Sequence, residues 1–311
     1  MQQTRRYSIS LIVFITMATA VISGCSPYRK LTETNYRSHF TLPGTIQIFD
    51  NLYCDEMEIS NLSWLEYMFW TYKIFGENSI EYTSTFPDES VWKDFTCLES
   101  FAQYYFRGLM YRDYPLVGIT QQQAIDYSKW RSDRVFESLL ISLGKIDWDS
   151  TQNRENYFTI ERYFNGTFNN VVPCEKIKYY PNYRLPTLAE RISILNLSDT
   201  IYRECFAGCK KKYCKDSKAD FPKFHSDIIP CVNDTFNDSP PTVPVWYYNV
   251  CCSFYNLRGN VSEWTAEENI AVGGSWHDKR DDILQTDTVV VLKQNAWTGF
   301  RNVCEWKEWG K

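Results

Sequence analysis

The chain has 311 residues, 44% hydrophobic and 23% charged, with 13 glycines and 12 prolines, a composition that excludes disorder, collagen-like repeats and coiled coil. Its formal charge of −5, from 33 basic and 38 acidic side chains, leaves no basic stripe for counterion release and argues against nucleic acid as a partner. Aromatic residues make up 17% of the chain, and eleven cysteines are many for a reducing compartment, so location is the first question.

Arg5 and Arg6 precede an apolar run from Leu11 to Val21 that is too short for a membrane span and has the form of an export signal. The run ends in Val21-Ile22-Ser23-Gly24-Cys25, which resembles a bacterial lipobox. That resemblance implies a signal peptide over 1–24, cleavage before Cys25, and diacylglycerol on the Cys25 thiol. Without Arg5 and Arg6 the mature chain has 31 basic and 38 acidic side chains, a net −7, so membrane contact rests on acyl chains and not on a polybasic patch. Ser26-Pro27 supplies no aspartate after the cysteine, which by the same resemblance favours the outer membrane of a Gram-negative bacterium.

Residues 25–44 read as a lipidated N-terminus and polar tether closed by the Leu42-Pro43-Gly44 turn, and 45–311 as one domain without linker or repeat. Thr45-Ile46-Gln47-Ile48-Phe49 alternates like a half-buried strand. Asn61 is expected to cap a helix that turns Leu65, Met68, Phe69 and Tyr72 inward and stops at Gly76. A second helix starts at Thr120, with Gln123 completing a capping box and Ala124, Tyr127 and Trp130 inward. A third starts at Thr187, with Glu190 in the same reciprocal position and Ile192 and Leu195 on its apolar side. The long stretches between fit neither period. The fold expected is therefore α+β, with little regular structure and much irregular chain pinned by aromatics.

Four blocks then occur in a fixed order: Cys54-Asp55-Glu56-Met57-Glu58-Ile59-Ser60-Asn61; Tyr114-Pro115-Leu116-Val117-Gly118-Ile119-Thr120; Tyr183-Arg184-Leu185-Pro186-Thr187-Leu188-Ala189-Glu190; and Gly259-Asn260-Val261-Ser262-Glu263-Trp264 with Gly273-Gly274-Ser275-Trp276 and Gly299-Phe300-Arg301. Together they resemble the formylglycine-generating enzyme (sulfatase-modifying factor) domain family. The resemblance implies a C-type-lectin-like fold over about 53–304. It does not by itself imply an activity, because the same fold serves oxidases, iron-dependent sulfoxide synthases, and binding or scaffold lipoproteins of gliding-motility and secretion machinery.

The family oxidase uses two thiolates five residues apart, just after Gly-Gly-Ser, to hold copper(I), a soft ion that prefers sulfur. The matching positions here are Asp278 and Ile283, next to Ser275 and His277. A carboxylate and a hydrocarbon do not replace two thiolates, so no copper is expected. The iron-dependent relatives need clustered histidines, whereas His39, His225 and His277 are far apart in sequence; a rebuilt oxygen-using metal site around His277 and Asp278 is the enzymatic alternative. The family also binds calcium through the segment matching Arg258-Gly259-Asn260-Val261-Ser262-Glu263. For Glu263 two readings stand: calcium held by carbonyls of Arg258, Gly259 and Val261 with the Glu263 carboxylate, or an ion pair with an arginine such as Arg301. Arg184 and Arg301 read as structural hydrogen-bond donors.

The ten cysteines after Cys25 are 54, 97, 174, 205, 209, 214, 231, 251, 252 and 304, an even number that favours disulfides in an exported domain, with a Cys-rich insert at about 196–244 as the place for partner specificity. Trp246, Trp276 and Trp297 are binding candidates for a carbohydrate or an envelope-protein partner, with core packing as the default for most aromatics. Trp306 and Trp309, among charged neighbours, are expected at an interface.

Overall fold

The computed structural model describes residues 30–208, 241–247, 254–279 and 288–311. Residues 1–24, Cys25, His225, Ile283 and Cys209, Cys214, Cys231, Cys251 and Cys252, together with the side chain of Cys205, lie outside what is described. No helix among the described residues is long and apolar enough to cross a membrane.

The short helix α1 (Tyr36–His39) leads into a hairpin of β1 (Thr45–Phe49) and β2 (Leu52–Asp55). Helix α2 (Asn61–Phe75) follows, capped by the Ser60 hydroxyl, which accepts from the Ser63 N–H at 3.2 Å, and ended by Gly76 at φ +88. The cap falls one residue before the expected Asn61. Asn61 is instead fully buried, its amide donating to the carbonyls of Tyr105 and Tyr111. The buried face of α2 is Trp64, Met68, Thr71 and Ile74, so the expected inward Phe69 and Tyr72 are exposed. Trp64 decides the phase, because its indole donates to the Thr85 carbonyl at 2.8 Å and its ring stacks on Tyr127.

Short turns α3 (Ile80–Thr83) and α4 (Phe101–Tyr104) precede the long helix α5 (Gln121–Ser142), which starts with the expected reciprocal Thr120–Gln123 capping box. Ala124 and Tyr127 are buried as expected, and Trp130 is half-buried. The turn α6 (Ile160–Phe164), strand β3 (Tyr179–Arg184) and helix α7 (Leu188–Gly208) come next. At the start of α7, Glu190 accepts from the Thr187 N–H and Thr187 from the Glu190 N–H, as the capping pattern requires. Leu195 is buried, but Ile192 is half exposed, and Arg191 and Ile194 take the inner face.

Two four-stranded sheets complete the fold. The first has the order β1-β2-β8-β3, with β8 (Val303–Glu308) antiparallel to both neighbours; Cys304 faces Tyr53 on one side and Tyr183 on the other. The second has the order β6-β5-β4-β7, built from β4 (Ser262–Trp264), β5 (Ile270–Val272), β6 (Thr288–Val290) and β7 (Thr298–Gly299), with β4 and β7 parallel. Helix α5 packs toward both. Phe136, Leu139 and Leu140 join Phe158, Tyr163, Tyr183 and Trp306 under the first sheet, while Ala124 and Tyr127 join Trp64, Trp264 and Phe300 beside the second. The sequence blocks meet here: the Ile59 N–H donates to the Phe300 carbonyl and the Leu116 N–H to the Ile59 carbonyl, each at 2.9 Å.

Two expectations are corrected by packing. The segment read as a tether is part of the domain from its described beginning, since Tyr36 and Leu42 are each 3% exposed in the core under the first sheet. Trp306 is likewise core, edge-on to Tyr36 at 5.5 Å, and Trp309 stacks on Phe164 at 4.8 Å, because the alternation of β8 overrides the charged neighbours. Cys54, Cys174 and Cys304 are free thiols, so these three do not take part in the disulfides that the even count favours.

Candidate functional site

The segment carrying Ser275, His277 and Asp278 leaves β5 through Gly273 and Gly274, at φ +92 and +64. A side chain at Gly273 has no room, because a Cβ there would stand 2.9 Å from the Leu257 carbonyl oxygen and 3.0 Å from the Arg191 guanidinium. The turn that follows closes on itself. The Ser275 hydroxyl donates to Asp278 Oδ2 at 2.6 Å and accepts from the His277 N–H at 3.2 Å. Asp278 thus holds the turn by a charge-assisted hydrogen bond.

Trp276 is fully buried, with its indole N–H on the Ala296 carbonyl at 3.0 Å and its ring parallel to Trp92. It is a core residue and not an accessible binding residue. His277 is exposed and lies flat on half-buried Trp297, ring centroids 4.5 Å apart at 14°, with Phe95 at 5.8 Å. Trp246 is half exposed and contacts Tyr247 edge-on. Among the described residues no group of three or more histidine, cysteine or acidic side chains converges as a metal site, so His277 and Asp278 gather no further ligands there.

Beneath this surface lies a buried polar centre that the sequence reading largely missed. Glu263, fully buried, receives Arg301 Nη2 on Oε1 at 2.6 Å and faces Arg191 Nη2 from Oε2 at 3.2 Å. Arg301 spends its remaining donors on the carbonyls of Asp55, Glu56 and Tyr255. Alongside, Glu58 accepts from the Asn260 amide at 2.9 Å and the Asn256 amide at 3.1 Å. Burial pushes the Glu58 carboxyl up to about 8, against the pull of Arg301. Asn260 and Asn256 sit at φ +60 and +45, a left-handed backbone that asparagine tolerates better than most residues. The clue in the sequence was an acid at Glu58 set between apolar Met57 and Ile59; its partners lie about 200 positions away and carried no local signal.

The donor set does not fit a calcium ion. Glu263 Oε1 is taken by Arg301, Oε2 faces Arg191 at 3.2 Å without a hydrogen bond, and the two buried guanidiniums put positive charge on both sides of the carboxylate. Arg191 Nε and Nη1 and Glu263 Oε2 all lack hydrogen-bond partners among the described residues, and a divalent cation at Glu263 would stand against two guanidiniums, unlike the oxygen-rich shell calcium takes. The ion pair of Glu263 with Arg301, one of its two readings, is formed. Nor do the free thiols stand in for a copper pair: Cys54 and Cys304 are buried in the first sheet, and burial pushes the Cys54 thiol up to about 12. Arg184 is structural too, gripping Glu190 at 2.6 and 2.8 Å and Glu305 at 3.1 Å.

Residues 32–306 match the model of the sulfatase-modifying factor enzyme 1-like domain. The chain belongs to that family. Among solved structures it is similar to CarF, at 15% identity over 82% of this chain and 86% of that one with a TM-score of 0.39. It is also similar to variable protein 1 of Treponema denticola, at 14% identity over 82% and 84% with a TM-score of 0.36. No curated protein matches it. For a sulfatase-modifying factor-like domain, membership gives the scaffold and leaves the chemistry to the site.

Proposed function

We propose that this sulfatase-modifying factor-like protein is a non-catalytic lipoprotein, anchored through Cys25 at the outer membrane, where the domain acts as a binding or scaffold component such as gliding or secretion machinery uses. The observation that carries the reading is the closed Ser275–Asp278 turn. The first of the two positions that the resemblance assigns to a copper thiolate is a carboxylate already engaged by the Ser275 hydroxyl at 2.6 Å. Hard oxygen is a poor partner for copper(I). A disulfide at Cys97 supports passage to an oxidising compartment, as does the lipobox at Cys25.

The purified chain is expected to bind no copper(I) and to leave a cysteine peptide unchanged in oxygenated buffer. Oxygen-dependent conversion of that peptide overturns the non-catalytic reading. In the native envelope, mass spectrometry is expected to find diacylglycerol on Cys25, and Cys25→Ala to release the protein from the membrane fraction together with the envelope proteins that co-purify with it. Membrane retention of Cys25→Ala sinks the anchor.

A further inference from the structure

A cleft between α5, the α6 turn and β3 has a volume of about 690 Å3, within the range of about 300–1,000 Å3 found for small-molecule sites. It shares no lining residue with the glycine-rich segment at 273–278. Asp133, on its α5 wall, is only 8% exposed. Its Oδ1 accepts from the Ile160 N–H at 2.8 Å, while Oδ2 has no partner among the described residues and is not sealed from solvent. A carboxylate oxygen that opens into a cleft with no protein partner is available to the donors of a ligand that displaces water there.

The charges around Asp133 decide what that donor is. Arg184 is held by Glu190 and Glu305, and Arg162 by the carbonyls of Glu155 and Tyr157, its guanidinium 4.1 Å from the Tyr157 ring. Arg134 pairs with Glu137 beside the cleft. Burial pushes the Asp133 carboxyl up to about 6, against the pull of the Ile160 N–H and of Arg134 and Lys129, with Glu137 adding to the rise. A cationic ligand therefore meets competing cations, and an anionic ligand meets Asp133 and Glu161. Trp309 and Tyr180 add ring surface, packed edge-on at 6.3 Å and fixed by Trp309 stacking on Phe164. The Tyr180 hydroxyl and the Asn165 side-chain amide also lack partners among the described residues.

We propose that this cleft binds a neutral polyhydroxylated ligand, a mono- or disaccharide, whose hydroxyls donate to Asp133 Oδ2 while its apolar C–H face lies against Trp309 and Tyr180. A sugar supplies both halves at once, vicinal O–H donors for an acceptor-only carboxylate and a C–H surface for aromatic rings. The site is independent of the scaffold role, and either can stand without the other.

The test titrates the purified full-length chain with glucose, galactose, mannose, N-acetylglucosamine, cellobiose and maltose, using saturation-transfer NMR and tryptophan fluorescence, with spermidine and glucuronate as charged controls. At least one neutral sugar is expected to bind saturably. Asp133→Asn keeps an oxygen for the Ile160 N–H and is expected to weaken that sugar by about ten-fold or more, as loss of a hydrogen bond to a charged group implies. Leu292→Ala, at an exposed position outside the lining, is expected to leave it unchanged. Exposed Asn165→Ala serves as a second variant should Asp133→Asn melt below the working temperature, and is expected to weaken the same sugar. No saturable binding of any neutral sugar overturns the proposal, as does binding only of the charged controls, or sugar binding indifferent to the cleft variant.

Discussion

Glu263 shows how a single carboxylate can be committed to structure by its neighbours. It carries the charge that two fully buried guanidiniums share, Arg301 at 2.6 Å and Arg191 at 3.2 Å. Removing one partner of a buried pair leaves the others unpaired in a medium that penalises lone charge, at a typical cost of about 3–5 kcal/mol. Glu263→Gln is expected to lose about that much, read as a lower urea midpoint at unchanged slope. Glu58 behaves differently, because it is buried with amide partners and its carboxyl rises from 4.5 to about 8. Between those two pH values the folded chain holds a proton that the unfolded chain has released, so stability falls as pH rises through this window. Wild type is therefore expected to melt lower at pH 8 than at pH 5, and Glu58→Gln to lose a large part of that difference in a calorimetric pH series. The partners of Glu58 were not legible at the residue level. The sequence offered Glu263 two readings, and only the positions of Arg191 and Arg301 separate them.

Local chemistry was the most legible level of the elements. The Thr120–Gln123 and Thr187–Glu190 boxes form as read, because their partners are three residues apart and need no tertiary information. The face of α2 was misread because it is rich in aromatics on both sides, and the indole of Trp64, bonded to the Thr85 carbonyl, fixes the rotation instead of the apolar count. Helix α1 was missed altogether, being four residues long in a polar stretch. Its Tyr36 hydroxyl donates to the Tyr179 carbonyl and accepts from the Tyr179 N–H, at 3.1 and 3.0 Å, and its ring fills a place beside Trp306. Loss of one buried large aromatic costs about 3–5 kcal/mol. A chain beginning at residue 45 is accordingly expected to be less stable by at least this amount than one beginning at residue 30, measured by urea unfolding of the two.

For the whole molecule, the order of the sequence blocks was enough to anticipate the fold, since each block is a short stretch whose glycines and capping residues constrain the backbone locally. The blocks converge through pairings such as Ile59 with Phe300 and Leu116 with Ile59. The buried polar centre and the Asp133 cleft were not legible, because both are made by residues whose proximity exists only after the blocks have met. Glu58 and Asn260, for example, are 202 positions apart.

Strand β8 has a consequence for the timing of folding. It occupies residues 303–308 of 311, yet it lies inside the first sheet, between β2 at 52–55 and β3 at 179–184. The middle strand is made after both of its neighbours, and β2 and β3 do not pair with each other in the sheet to hold their register meanwhile. Closure of such distant segments is slow compared with local helix formation. The first sheet therefore closes only once residues 303–308 have been made, long after the β1–β2 hairpin.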